Sequence, residues 1–114
     1  MDRRIVFGVV ILGVFLLTGC SKNYTAFAQC LAENDATMYG TYRCSHCKNQ
    51  KEMFGPAFFE VQYVECDANG PNGDPDLCKE KGITGYPTWI ISGSKVLGEV
   101  PLEKLSKFTG CALP

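Results

Sequence analysis

The sequence predicts a mixed α/β domain in which a central sheet is flanked by helices. Three observations predict it. After Asp35, strand-like and helix-like stretches follow one another in the order β-α-β-α-β-β-α, with a further helix in front. A close cysteine pair, Cys44-Ser45-His46-Cys47, stands where the first of these strands gives way to the first helix. Gly85-Tyr86-Pro87-Thr88 stands just before a β-branched and aromatic run that ends in Ser92-Gly93-Ser94. The chain has 114 residues, enough for one small domain that gains from cross-links. Its net charge of -1, with 20% charged residues, offers no surface for a polyanion, so nucleic acid is not an expected partner.

The first residues differ in kind from the rest. Asp2, Arg3 and Arg4 precede an almost unbroken apolar run from Ile5 to Leu17, which is short for a membrane span and suits the core of a signal peptide. Leu17-Thr18-Gly19-Cys20 resembles the bacterial lipobox, whose cysteine is lipidated and becomes the first mature residue. The expected division is a lipoprotein signal peptide over 1–19, a lipidated Cys20 with a short tether over 20–23, and one domain over 24–114. A plain signal peptide or an uncleaved anchor is the alternative, and each exports the domain. The spacer Ser21-Lys22-Asn23 would hold it within roughly 10 Å of the lipid.

The elements follow in order. Tyr24, Phe27, Ala28 and Leu31 have the i, i+3, i+4, i+7 spacing of an amphipathic helix over 24–33, which Asn34-Asp35 breaks. Residues 36–42 suit a strand. Residues 45–54 form the next helix, with Met53 and Phe54 as packing residues and Gly55-Pro56 as the stop. A second strand follows within 61–66. Asp74 can cap a helix that begins at Pro75 and ends by Gly82. Pro87 cannot sit mid-ladder and so marks the entry of the third strand. A turn at 92–94 leads to a return strand over 95–100. Pro101 opens a last helix with Leu102, Leu105 and Phe108 or Thr109 on its inner face, closed by Gly110.

Seven cysteines occur, at 20, 30, 44, 47, 66, 78 and 111. With Cys20 assigned to lipid, six remain, and spacing alone does not fix their pairing. Local context narrows it. Cys44 and Cys47 form the close pair, Cys66 and Cys78 flank a turn-rich loop, and Cys30 and Cys111 are left to join the domain's ends. Two such bridges stabilise by roughly 3–4 kcal/mol each in the chain-entropy account.

At the mouth of a helix, Cys44 would face unpaired N–H groups and a positive dipole end, which favour a thiolate and hence redox chemistry. Two cysteines at this spacing also occur in zinc sites and haem attachment. A zinc set of Cys44, Cys47, Cys66 and Cys78 would have eleven residues inside its second pair, far from the usual ligand spacing, and Lys48 stands where haem attachment needs histidine. A non-catalytic, disulfide-stapled binding module on the membrane is the other alternative. No metal or cofactor is expected.

The element order, with Cys-x-x-Cys after the first strand and Gly-Tyr-Pro-Thr before the hairpin, resembles the thioredoxin fold. Residues 38–55, Tyr63-Val64-Glu65-Cys66 and 82–90 further resemble the thioredoxin-like domain appended to bacterial vitamin K epoxide reductase homologues. That resemblance spans about residues 36–110 and rests on three separated blocks in the same order. It implies a thiol–disulfide oxidoreductase in which Cys44 is the exposed nucleophile and Cys47 the buried resolving cysteine. Ser45 and His46 would tune the pair, His46 by favouring the Cys44 thiolate when cationic. Pro87 would be the family's cis-proline facing the cysteines, with the Tyr86 backbone offering hydrogen bonds to a substrate chain.

Two departures from ordinary thioredoxins bear on direction. Met38 stands where they carry a buried aspartate, and Arg43 stands where they carry tryptophan, adding positive charge beside Cys44. The expectation is an envelope-located, lipid-anchored, monomeric enzyme that oxidises more than it reduces. Its expected partners are protein thiols or disulfides and a vitamin K epoxide reductase-like or other quinone-linked membrane protein, facing the periplasm or extracytoplasmic space.

Overall fold

The structure, a computed structural model, describes residues 22–114. The signal-peptide reading of 1–19 and the lipidation reading of Cys20 lie outside the described residues. The elements are α1 (Thr25–Glu33), β1 (Ala36–Gly40), α2 (Ser45–Phe54), a 3-10 helix (Gly55–Glu60), β2 (Gln62–Glu65), α3 (Pro75–Glu80), β3 (Thr88–Ile91), β4 (Ser94–Leu97) and α4 (Leu102–Thr109). After Asp35 the order of strands and α-helices is the predicted one. The four strands form one sheet in the order β2-β1-β3-β4. Strand β1 pairs in parallel with β2 and antiparallel with β3, and β3 pairs antiparallel with β4. This is the mixed sheet of the thioredoxin fold.

Because successive strand residues point to opposite faces, β1 serves two layers at once. Met38, Trp89 and Ile91 face a core built with Phe27 and Leu31 of α1, Cys47 and Phe54 of α2 and Leu105 of α4. Each large apolar side chain buried there contributes about 1.5–3 kcal/mol of transfer free energy. Tyr39 faces the other way, toward Cys66, Cys78, Leu77 and Ile90, where α3 covers the sheet. Helices therefore lie on both faces.

Several boundaries differ from the sequence reading. Strand β1 ends at Gly40, because residues 41–43 turn so that the Cys44 amide donates to Thr41 O at 3.2 Å. Gly55 closes α2 with a positive φ of 58° and, with Pro56, opens the 3-10 helix, so the expected stop is also a beginning. Val61 caps that helix, which delays β2 to Gln62. The return strand is shorter than expected: Gly98 has φ 98° and its amide turns to Pro87 O, so β4 ends at Leu97. Phe108 is exposed, and the inner face of α4 runs from Leu102 and Leu105 to Thr109, whose hydroxyl donates to Leu105 O. The helix caps are those the residues suit. Asp74 Oδ1 accepts from the Leu77 amide ahead of Pro75, and Gly110 takes the left-handed conformation after α4.

Two disulfides staple this frame. Cys30–Cys111 joins α1 to the segment after α4 across 81 residues, and Cys66–Cys78 closes the loop between β2 and α3.

Candidate active site

The turn after β1 delivers Cys44 to the N-cap of α2, where its backbone is extended and its side chain replaces a capping oxygen. The Cys47 amide donates to the Cys44 sulfur at 3.3 Å, so one of the orphan N–H groups of the first helical turn is aimed at that sulfur. In the loop before β3, Tyr86 O accepts from the Cys44 thiol at 3.6 Å. The Tyr86–Pro87 peptide bond is cis, Pro87 is buried and Tyr86 is partly exposed. Four sequence-selected residues, Cys44, Cys47, Tyr86 and Pro87, thus meet in one place.

Cys44 and Cys47 are both free thiols, but their surroundings differ. Cys44 is half-buried, whereas Cys47 has no exposure and belongs to the main core together with Met38. Burial pushes the Cys47 thiol up to about 12, aided by its hydrogen bond with Cys44, while the Lys51 ammonium acts weakly the other way. Gly40 makes the room for this sulfur, since a Cβ there would stand 2.8 Å from Cys47 Sγ and 3.3 Å from the Tyr63 ring. The arrangement gives one accessible sulfur and one that can act only on a bond formed at the first.

The other motif residues are engaged in ways spacing does not show. Ser45 opens α2 and is exposed. Arg43 donates from Nε to the Tyr42 hydroxyl at 2.7 Å, and its guanidinium lies 3.8 Å from Asp67. His46 Nδ1 lies 2.9 Å from Glu99 Oε1, which also accepts from Asn49 Nδ2 at 3.0 Å. These hydrogen bonds, His46 first and Asn49 second, hold the Glu99 carboxyl below the usual carboxylate range.

Glu99, Glu65, Gln50 and Tyr63 were not singled out by the sequence reading. Glu65 is buried at the end of β2. Its Oε1 accepts the Tyr42 amide at 2.8 Å and its Oε2 the Asp67 amide at 3.2 Å, so it fixes the turn leading into Cys44. An acidic residue inside the alternating run 61–66 is the signal that could have found it. The Tyr63 hydroxyl is buried without a hydrogen-bond partner, and the Lys51 ammonium sits 3.9 Å from the centre of its ring. Burial, then the nearby Glu65 carboxylate, push the Tyr63 phenol well up. Glu99 carries no local signal, because it meets His46 across 53 residues of sequence.

Among the described residues no group of three or more His, Cys, Asp or Glu is placed to hold a metal ion. The sulfurs of Cys66 and Cys78 are bonded to each other and are not the thiolates that a zinc set with Cys44 and Cys47 would need. Among the described residues no helix is long and apolar enough to cross a membrane.

No family model matches the chain. The archaeal glutaredoxin grx-1 of Archaeoglobus fulgidus superposes with a TM-score of 0.47 at 22% identity, covering 66% of this chain and 85% of that one. Mitochondrial thioredoxin 3 of Saccharomyces cerevisiae, in its oxidised form, gives a TM-score of 0.44 at 25% identity, covering 79% and 91%. Among curated proteins, the thiol-disulfide oxidoreductase LTO1 of Arabidopsis thaliana is 38% identical over 107 residues, which is 87% of this chain. The chain spans only 28% of the length of that relative. It has a thioredoxin-like fold and is the homologue of one part of a thiol–disulfide oxidoreductase.

Proposed function

We propose that this chain is a thiol–disulfide oxidoreductase of the bacterial cell envelope, lipid-anchored through Cys20, working through Cys44 and Cys47 and more oxidising than reducing. The observation that carries the activity is the unequal pair: Cys44 stands half-buried at the N-terminus of α2 beside Tyr86 O, and Cys47 lies fully buried behind it. In the oxidising direction a substrate thiolate attacks Cys44 Sγ of the disulfide form. The Cys44–Cys47 bond breaks, Cys47 leaves with the electron pair, and its raised pKa ensures that it takes up a proton. A second substrate thiolate then attacks the substrate sulfur of the mixed disulfide and releases reduced Cys44. Re-oxidation would come from a vitamin K epoxide reductase-like or other quinone-linked membrane protein.

The oxidising direction is supported by Met38, an apolar core residue at the position where a buried acid would help a reductase deprotonate its resolving cysteine. It is supported too by the Cys47 amide at the start of α2, which donates to the sulfur of Cys44 in the free dithiol and so stabilises the reduced form. The reduction potential of the Cys44/Cys47 pair, measured against glutathione, tests the direction: about -120 to -180 mV is expected, and a value near about -270 mV marks a reductase. The membrane setting has its own test. Lengthening the tether after Cys20 by several flexible residues should leave turnover of a soluble substrate intact and weaken coupling to the membrane partner; equal coupling would defeat the proximity argument.

A further inference from the structure

The carboxylate of Glu99, in the loop between β4 and α4, reaches the imidazole of His46 across 53 residues of sequence. A carboxylate only accepts hydrogen bonds, so the Nδ1 atom 2.9 Å from Glu99 Oε1 carries a proton. In the neutral imidazole the proton-free nitrogen is then Nε2, an acceptor, on a ring whose side chain is 71% exposed two residues from Cys44. Asn49 holds the same carboxylate oxygen at 3.0 Å, and Gln50 holds the adjacent Val100 by both its backbone groups, so Glu99 is fixed from two sides. A carboxylate that orients an exposed histidine two residues after a nucleophilic cysteine supplies the parts of a general base.

We infer that His46 is a catalytic general base toward the incoming substrate thiol, and that Glu99 is the positioning residue that sets its tautomer. The inference rests on the oxidoreductase reading above and adds a proton path to it. His46 Nε2 takes the proton of the substrate thiol as its sulfur attacks Cys44 Sγ of the Cys44–Cys47 disulfide. A substrate–Cys44 bond forms, the Cys44–Cys47 bond breaks, and its electron pair leaves on Cys47. Cys47 takes a proton from water and the imidazolium returns one to water, so the step balances with the substrate thiol as the only reductant. Other charged groups near the motif are occupied or apart: Arg43 by the Tyr42 hydroxyl and Asp67, Lys51 by the Tyr63 ring, while Lys48 is exposed on the same turn of α2.

The test uses the full-length chain in detergent, oxidised at Cys44–Cys47, with two single-turnover reductants. One is an alkyl thiol, protonated at neutral pH; the other is a nitro-substituted aryl thiol, already ionised and in no need of a base. The readout is the ratio of their rates. His46→Gln should lower the alkyl-to-aryl ratio about tenfold at neutral pH, and Glu99→Gln should lower it several-fold. Glu99→Asp, which keeps the carboxylate, should recover part of the loss. An unchanged ratio in both Gln variants, or equal slowing of both thiols, overturns the inference and leaves His46 acting only on the cysteine pair. If neither thiol reduces the unsubstituted oxidised chain, the oxidoreductase reading itself fails and takes the dyad with it.

Discussion

Gln50 brackets the backbone of Val100: its Oε1 accepts the Val100 amide at 2.7 Å and its Nε2 donates to the Val100 carbonyl at 3.0 Å. The same Oε1 accepts the Trp89 indole N–H at 3.1 Å, and Gln50 itself has no exposure. One amide thereby ties the second half of α2 to β3 and to the loop that carries Glu99. Gln50→Leu keeps the volume but leaves three buried polar groups without partners. Unsatisfied groups of this kind cost about 1–3 kcal/mol each, partly relieved by relaxation and water entry, so a loss of about 3 kcal/mol is expected in urea denaturation. A loss below about 1 kcal/mol would show that the bracket is replaceable by solvent.

The proximity of Gly40 to Cys47 makes a second prediction. In Gly40→Ala the new methyl group would stand 2.8 Å from Cys47 Sγ, a contact that forces the sulfur or the strand to move. Overpacking of this kind costs about 1–3 kcal/mol. Displacing the sulfur should also slow closure of the Cys44–Cys47 disulfide from a mixed disulfide, measured by quenched-flow and thiol labelling. Unaltered closure would mean that the strand, not the sulfur, yields.

The buried thiol gives a pH dependence with a defined sign. Cys47 holds its proton to about 12 in the fold, against 9.0 for an unperturbed thiol, chiefly because it is buried. The folded dithiol therefore keeps a proton that the unfolded chain gives up. This contribution to stability is fully present below pH 9.0 and is lost as pH rises toward about 12. The disulfide form has no such proton. The stability of the reduced protein should thus fall relative to the oxidised protein over that window in paired thermal melts. Iodoacetamide at about pH 8 should label Cys44 in the folded reduced chain and leave Cys47 untouched until denaturant is added.

The two staples should differ in strength. Cys30–Cys111 spans 81 residues and Cys66–Cys78 spans 12, so the loop-closure account gives about 4.5 and about 3 kcal/mol. Paired Cys→Ser variants at 30/111 and at 66/78, compared by urea denaturation, should rank in that order. The reverse order would mean that contacts local to the β2–α3 loop outweigh unfolded-state entropy.

Much of the fold was legible because local rules and tertiary packing agree. The bounds of α2, Ser45–Phe54, and the start of α3 at Asp74-Pro75 match their predicted positions, since caps and proline act within a few residues. The exposed Phe108 and the early ends of β1 and β4 show where this stops. An apolar side chain is buried only if another layer reaches it, and a strand continues only while a partner strand is there to bond.

The sequence by itself determined the element order, the position of Cys44 and Cys47 at a strand-to-helix junction, and the placement of Tyr86-Pro87 at a strand entry. These follow from periodicity, capping and backbone restriction within a few residues. The tertiary structure alone decided that Cys47 is sealed in the core while Cys44 is half-buried. It also decided that Glu65 props the turn before Cys44 and that Glu99 faces His46. Those relationships join residues far apart in the chain, and the geometry of a hydrogen bond exists only once the sheet and its covering helices have brought them together.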